Sequence, residues 1–146
     1  MKKLLFPLAL LFSIACFAHK PNPVINEKVL KAFNESFADA KNVSWYESGK
    51  VISARFECNG IDTQIRYDKN GNVLQTIRYY TEKELPPFIQ TKVKEQYKDK
   101  EVFGVTELTS GSYLYYYVVL HDDKNWLNVQ ADPYGNLNLY SKMKKG

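Results

Sequence analysis

A short turn sequence occurs twice in this chain and divides it into two halves. Asp68 opens the first copy and is followed by Gly71 and Asn72, while Asp132 and Gly135 hold the corresponding places in the second. The two aspartates are 64 residues apart (132 minus 68), and apolar runs flank both copies. Asp accepts hydrogen bonds from nearby backbone N–H groups and Gly adopts positive φ at little cost, which is typical of a chain reversal. The repeat therefore predicts two hairpins and two related halves.

Residues 1–18 predict an export signal. Lysines follow the first Met, the apolar stretch behind them is shorter than the roughly 20 residues of a membrane span, and small side chains at Cys16 and Ala18 precede a cleavage site at His19. We expect residues 19–146 to form the mature protein, in the periplasm or outside the cell. The alternative is a lipoprotein anchored to the membrane through Cys16, which stands in a weak version of the lipidation motif.

Composition and charge exclude several function classes. With 45% hydrophobic and 25% charged residues, the chain falls in the globular range and can bury one core or two small ones. Without residues 1–18 it has 18 Lys and Arg against 16 Asp and Glu, a net charge of +2. No nucleic-acid partner is expected at this charge. Cys58 is left as the one free thiol, so no intrachain disulfide can form, and its strand parity predicts a buried, unreactive side chain.

Apolar periodicity predicts the same order of elements in both halves. A helix is expected over residues 26–38, with Asn26 as its N-cap, and a second over residues 86–98, after a capping-box spacing at Thr81 and Glu84. Four strand patterns follow each helix. The expected strands are residues 43–46, 51–58, 61–67, 73–80, 102–108, 113–120, 126–131 and 137–141.

A set of apolar, aromatic and turn residues between residues 29 and 140 carries a family resemblance. Its members are Phe33, Phe37, Ala40, Val43, Trp45, the turn from Asp68, Leu85, Pro86, Tyr97, Tyr115, Tyr116 and the turn from Asp132. In these residues the chain resembles the periplasmic PepSY-like family, also described as beta-lactamase-inhibitor-like. One departure is Ala38, where the family often has Pro.

The resemblance implies an α+β fold built from two tandem helix-plus-four-strand units. Both helices would pack on one face of an antiparallel sheet. The units would span about residues 24–80 and 81–146 of a single domain, residues 19–146.

The sequence gives little support for catalysis. His19 lies at the expected cleavage site and His121 in a predicted turn, and no nucleophile motif accompanies either. We therefore expect no enzyme activity, no catalytic residue and no cofactor. A metal site is not expected either. Asp68 begins a calcium-loop pattern, but Val73 and Tyr79 stand where such a loop needs Gly and an acidic residue.

Strand parity instead predicts a binding surface on the sheet face opposite the helices. If Tyr116 and Val118 pack inward, their neighbours in the strand point outward. The outward set, which also takes in Tyr80, combines Tyr, Trp and Arg, the types that dominate protein-binding patches. The candidate binding residues are Tyr113, Tyr115, Tyr117, Trp126, Arg55, Arg66, Arg78 and Tyr140. Two alternatives stay open: such cross-strand pairs also stabilise any half-exposed sheet, and residues 113–120 are apolar on both faces.

We expect an exported, non-enzymatic binding protein whose sheet face docks an envelope protein or a peptide-like ligand. An inhibitory role is implied by the resemblance alone, since a fold does not define a function. Membrane association is expected only through a lipidated Cys16. The alternatives are a small-ligand carrier, with a pocket between sheet and helices, and a calcium-binding envelope protein that uses its Asp-rich turns.

Overall fold

The computed structural model describes residues 24–146, which form two helices and eight strands. The predicted export signal and Cys16 lie outside the described residues. Helix α1 spans Glu27–Ser36 and helix α2 spans Pro87–Gln96. The strands are β1 (Lys41–Ser48), β2 (Val51–Cys58), β3 (Ile61–Tyr67), β4 (Val73–Tyr80), β5 (Glu101–Ser110), β6 (Tyr113–His121), β7 (Asn125–Ala131) and β8 (Leu137–Lys144).

All eight strands belong to one antiparallel sheet, in which each strand pairs with its neighbour in the sequence. The order across the sheet runs from β1 at one edge to β8 at the other. Helix α1 precedes β1, and α2 lies in the connection between β4 and β5. The prediction of an antiparallel sheet with two helices is confirmed. Across residues 24–146, neither helix is long and apolar enough to span a membrane.

Helix α1 begins where its cap residue predicts and ends earlier than expected. The Asn26 side-chain oxygen accepts a hydrogen bond from the N–H of Val29 at 3.0 Å, which satisfies one of the free donors of the first turn. Phe37 has a φ of −137°, outside the helical range, so the helix stops at Ser36. The ring of Phe37 packs on the ring of Phe56, with the two centroids 4.7 Å apart.

The capping box at Thr81 and Glu84 is present, but it caps a single 3₁₀ turn over Glu82–Glu84 rather than α2. The Glu84 carboxylate accepts hydrogen bonds from the N–H and the hydroxyl of Thr81, which lower the pKa of Glu84. Helix α2 begins at Pro87, whose missing N–H donor costs nothing in a first turn. The predicted capping box is confirmed, and it lies on a separate turn ahead of α2.

Both helices pack on the same face of the sheet, which we call the helix face. The apolar stripe of α1, Val29 and Phe33, packs with buried residues of β2 and β3. The stripe of α2, Ile89 and Val93, packs with buried residues of β6 and β7. Directly opposed residues of neighbouring strands point to the same side, and the register carries this side unbroken from β2 to β7. The core therefore consists of two apolar clusters under two helices.

The repeated turn closes the last hairpin of each half and packs against one helix. Gly71 and Gly135 both have a φ of +85°, which requires glycine in practice. A Cβ on Gly71 would lie 2.8 Å from the backbone oxygen of Lys28 in α1, and one on Gly135 would lie 2.8 Å from Cε1 of Phe88 in α2. The glycines thus serve a close approach between turn and helix as well as the turn itself.

Arg78 and Tyr80 lie on the helix face, and the prediction that they point to the opposite face is wrong. Arg78 stands directly opposite the buried Thr63 and opposite Glu107. The Arg78 position in β4 lies between the two apolar clusters, where a charged pair is tolerated. The neighbouring Ile77 points to the opposite face of the sheet. The hydrophobic side chains of β4 therefore do not indicate which face of the sheet the helices cover.

Candidate functional site

The sheet face opposite the helices, which we call the open face, holds seven of the eight candidate binding residues. Cross-strand register places Tyr113, Tyr115 and Tyr117 of β6 there, away from the buried alternate residues of the same strand. Trp126 of β7 lies opposite His121, on the same side. The remaining members are Tyr140, Arg55 and Arg66. Arg78 is the exception described above.

Tyrosines of β6 and β8 share the open face, and two of them are in ring contact. The rings of Tyr117 and Tyr140 meet edge to face, with centroids 5.6 Å apart and planes at 82°. Gln130 of β7, between them, donates a hydrogen bond from Nε2 to the hydroxyl of Tyr117 at 3.0 Å. Tyr113, at the start of β6, and Tyr140, in the edge strand β8, are each 67% exposed. We call Tyr113, Tyr115, Tyr117 and Tyr140 the tyrosine patch.

A second aromatic group, which we call the Trp126 corner, lies at the start of β5 and β7 and at the end of β6. It consists of Phe103, His121, Trp126 and Lys145. The ring centroids of Phe103 and of His121 both lie 5.0 Å from that of Trp126, and the Phe103 plane is almost perpendicular to the indole at 87°. The Lys145 Nζ lies 4.8 Å from the centre of the Trp126 ring and 3.3 Å from Nδ1 of His121.

Sequence reasoning missed Phe103 and Lys145. Phe103 belongs to an irregular position of β5, because Val102 pairs with Leu120 while Gly104 pairs with Val119. This bulge turns the Phe103 ring towards the open face, where it is 67% exposed. Gly104 was the available signal, since a glycine inside a strand pattern often marks a bulge. Lys145 lies beyond the expected end of the last strand, and nothing in its local sequence indicated the contact.

The two arginines of the open face lie apart from the aromatic groups. Arg55 forms a two-point ion pair with Asp62, and the hydrogen bonds with that carboxylate raise the pKa of the guanidinium. Arg66 donates a hydrogen bond from Nη1 to Gln75 Oε1 at 3.2 Å. From β3 to β6 the sheet spans three strand spacings, about 14 Å. The candidate residues therefore form an aromatic region and a separate arginine region.

The open face of β6 and β7 carries no Asp, Glu, Lys or Arg. Its members are Tyr113, Tyr115, Tyr117, Val119, His121, Trp126, Asn128 and Gln130. Rings and amides of this kind offer contact area with few rotatable bonds and polar tips for hydrogen bonds. They do not provide a nucleophile held by a base. The surface is suited to contact with a partner.

The acidic turn after β6 has a structural use. Asp122 accepts hydrogen bonds from the N–H groups of Lys124 and Asn125, at 2.8 and 2.7 Å, and forms an ion pair of 2.6 Å with Lys100. The hydrogen bond with Lys100 is the largest of the causes that hold the pKa of Asp122 far below its ordinary value. Within residues 24–146, no group of three or more His, Cys, Asp or Glu is placed to hold a metal ion.

Cys58 ends β2 and is only half-buried. It packs at the margin of the α1 cluster and is a free thiol within residues 24–146. Strand parity placed Cys58 on the correct side, but the expectation of a buried thiol is wrong, because Cys58 ends β2 beside the hairpin turn.

The fold is that of BLIP-like proteins. Superposition on a BLIP-like protein from Bacteroides fragilis gives a TM-score of 0.67 at 20% identity, over 83% of this chain and 88% of the other. A DUF2874 family protein from Bacteroides ovatus gives 0.65 at 16% identity, over 84% and 89%. A third, described as a proposed periplasmic protein of Bacteroides eggerthii, gives 0.65 at 15% identity, over 84% and 90%.

At such low identities the likeness concerns the fold alone. It agrees with the beta-lactamase-inhibitor-like part of the family resemblance, while none of these three structures is described as PepSY-like. No protein-family model matches the sequence, and no curated protein matches it.

Proposed function

We propose that this protein is an exported, non-catalytic binding protein that docks another protein, or a peptide-like envelope ligand, on the open face. The observation that carries the proposal is the uncharged aromatic surface of β6 and β7, which the helices leave uncovered. Exposed aromatic residues grouped with amides are typical of interface centres and of their hot spots. The described neighbour from Bacteroides eggerthii supports a periplasmic compartment for this chain as well.

An inhibitory role is the more specific form of this proposal. It is supported by the sequence resemblance to the beta-lactamase-inhibitor-like family and by the BLIP-like fold. In this form the partner is an enzyme whose activity falls when the open face binds it. The same resemblance is our reason to place the chain in the periplasmic PepSY-like family.

We further propose that the chain consists of two tandem repeats, which doubles the helix-plus-four-strand unit and widens the open face. The offset of 64 residues between the two turns also relates buried positions of the two halves. The related pairs include Val29 with Val93, Ala54 with Val118, Phe56 with Leu120, and Ile65 with Val129.

The carrier and calcium alternatives have less support. The helix stripes bury Val29, Ile89 and Val93 almost completely against the sheet, so the space between helix and sheet is filled by side chains. In the calcium version Asp68 would be a ligand. Its carboxylate already accepts two backbone N–H groups and the side-chain amide of Asn72, which lower the pKa of Asp68 and support the turn.

Site-specific photo-crosslinking tests the proposed surface. A photoreactive phenylalanine analogue at Tyr140 reports contacts of the tyrosine patch, and the same analogue at Tyr46 is the control. Tyr46 is 58% exposed but lies in β1, at the opposite edge of the sheet from Tyr140 in β8. We expect one discrete crosslinked protein from intact cells at position 140 and none at position 46.

Affinity measurements with the purified partner then complete the test. Tyr113→Ser and Tyr140→Ser should each weaken binding about thirtyfold, the scale of an interface hot spot. Tyr46→Ser, in the exposed edge strand β1, should leave the affinity unchanged and the melting temperature nearly so. Equal affinity of the patch variants and the control would contradict the proposal, and so would a large stability loss in the patch variants, because it would make these side chains core residues.

A further inference from the structure

We infer that the Trp126 corner is a receptor for a basic side chain, a lysine or arginine that a protein partner presents. In the free protein the chain's own Lys145 occupies this receptor. The inference rests on the proposed function, because it supplies the partner chemistry for one corner of the open face.

The geometry of the corner is that of an aromatic site for a cation. The Lys145 Nζ lies 4.8 Å from the centre of the Trp126 ring, within the range of a cation–π contact. The rings of Phe103 and His121 stand against the same indole, each with its centroid 5.0 Å away. The face of an aromatic ring carries negative potential, and tryptophan attracts cations most strongly. An ammonium group is thus the chemistry that this corner already accepts.

Beside His121, charge has the sign that a basic group requires, whereas Lys124 and Lys144 line a second depression together with Lys145. A depression of about 170 Å³ adjoins His121 and is lined by acidic residues, among them Asp99, Glu101 and Asp123. The Glu101 side chain is 85% exposed, and its carboxylate lies 3.8 Å from Nε2 of His121. Among the described residues neither Asp99 nor Asp123 takes part in an ion pair. Their carboxylates are therefore exposed to solvent, without a cationic partner in the described part of the chain, and they favour the approach of a positively charged side chain.

Lys145 is held in a way that allows replacement. Its backbone N–H donates to the carbonyl oxygen of Lys124 at 2.8 Å, so the backbone stays beside β7 wherever the side chain goes. The ammonium group makes its contacts through one flexible side chain, to the indole and to Nδ1 of His121. Phe103 leaves one side of the corner open, since it is 67% exposed. A partner's lysine can thus displace Lys145 with no backbone movement.

Fluorescence of Trp126 provides the test. The chain has two tryptophans, so Trp45→Phe leaves Trp126 as the only reporter. The probes are acetyl-Gly-Lys-Gly-amide and the same peptide with norleucine in place of lysine, both titrated at pH 8. We expect a saturable change with the lysine peptide alone. Adding Lys145→Ala should strengthen its binding about two- to fivefold, the worth of one exposed cation–π contact. Where Trp45→Phe fails to fold, the indole N–H NMR signal of Trp126 in the natural chain reports the same titration.

Two further variants sharpen the test. Lys144→Ala removes the neighbouring lysine, which pairs with Asn125 at the end of β8, and it should leave the peptide affinity unchanged. Glu101→Gln should weaken the lysine peptide and leave the norleucine peptide unaffected. Equal binding of the two peptides overturns the inference, and so does equal affinity of the Lys145→Ala and Lys144→Ala variants.

These outcomes are separable from those of the proposed function. If the Tyr113 and Tyr140 variants lose partner binding but Trp126 shows no selectivity for lysine, the receptor is overturned. The proposal that the open face docks a partner is then retained. A lysine-selective response at Trp126, with partner affinity unchanged in the tyrosine variants, supports the receptor and counts against the proposed function.

Discussion

Arg78 and Glu107 face each other across the β4–β5 pairing, with Arg78 Nη1 3.2 Å from Glu107 Oε1. The other carboxylate oxygen accepts a hydrogen bond from the hydroxyl of Tyr80 at 2.7 Å. Burial, then the hydrogen bond with Glu107, raises the pKa of Tyr80 well above its ordinary value. The group joins β4 to β5 at the edge of the apolar cluster under α2, to which Tyr80 belongs.

Glu107→Ala is expected to destabilise the protein by about 1–3 kcal/mol, the cost of leaving part-buried donors without an acceptor. The guanidinium of Arg78 and the hydroxyl of Tyr80 both lose their partner in this variant. Urea unfolding measures the change. Asp62→Ala is the matched control, because its ion pair with Arg55 lies exposed on the open face and surface pairs add little. Equal losses in the two variants would contradict a special role of the helix-face pair.

Alanine at the two turn glycines should reveal how each turn meets its helix. Gly71→Ala forces a Cβ against a backbone oxygen of Lys28, which cannot move without the helix, whereas Gly135→Ala meets the ring of Phe88, an exposed side chain. Gly60→Ala has positive φ but open space around it, and serves as the control. Positive φ alone costs about 1–2 kcal/mol. We expect melting temperatures to fall most for Gly71 and least for Gly60; the reverse order would refute the close approach.

The buried hydroxyl of Tyr67 should make the protein less stable at alkaline pH. Burial raises its pKa to about 12, and its hydroxyl is buried without a hydrogen-bond partner among the described residues. The folded state thus holds the proton more tightly than the unfolded state, whose Tyr pKa is near 10.0. The contribution is complete below pH 10 and is lost as pH rises through 12, by about 3 kcal/mol.

Tyr67→Phe removes this pH dependence and isolates it from other groups that titrate in the same range. At pH 7 the variant should be as stable as the natural protein or more stable, because no hydrogen bond is lost and a polar group leaves the core. Chemical unfolding at pH 7 and at pH 11 provides both numbers. Strong destabilisation at pH 7 would mean that the hydroxyl has a partner, such as a buried water.

The mature N-terminus distinguishes the two export routes. Cleavage after Ala18 predicts a chain that begins at His19, whereas lipidation predicts an acylated N-terminus at Cys16. Mass spectrometry of the protein purified from the producing cell measures this directly. Cys16→Ser should leave a cleaved protein in the soluble fraction unchanged, and it should release a lipoprotein from the membrane fraction.

Periodicity predicted the sheet well because each half buries one side of its strands under a helix. Ile52, Ala54 and Phe56 alternate with polar neighbours, and they lie in the α1 cluster as the alternation predicts. The same reasoning placed Tyr113, Tyr115 and Tyr117 correctly on the open face. Their role in binding stays a prediction.

The sequence failed where tertiary position overrides local pattern. Strand β4 lies at the middle of the sheet, with Arg78 on the helix face and Ile77 on the open face. Hydrophobicity alone would place these two residues the other way round. The Trp126 corner depends on a bulge and on a contact between residues 126 and 145, and neither follows from alternation. Long-range contacts of single side chains have no periodic signal to report them.

The strictly sequential order of the sheet has a consequence for how the chain folds. Every strand pairing except β4–β5 closes a short hairpin or turn connection, which favours rapid local folding. Until β4 and β5 meet, each half exposes an unpaired strand edge, and such edges are templates for association. Two copies whose β4–β5 pairings form between chains instead of within them would exchange halves. The connection through α2 is therefore the hinge at which this protein is most exposed to domain swapping.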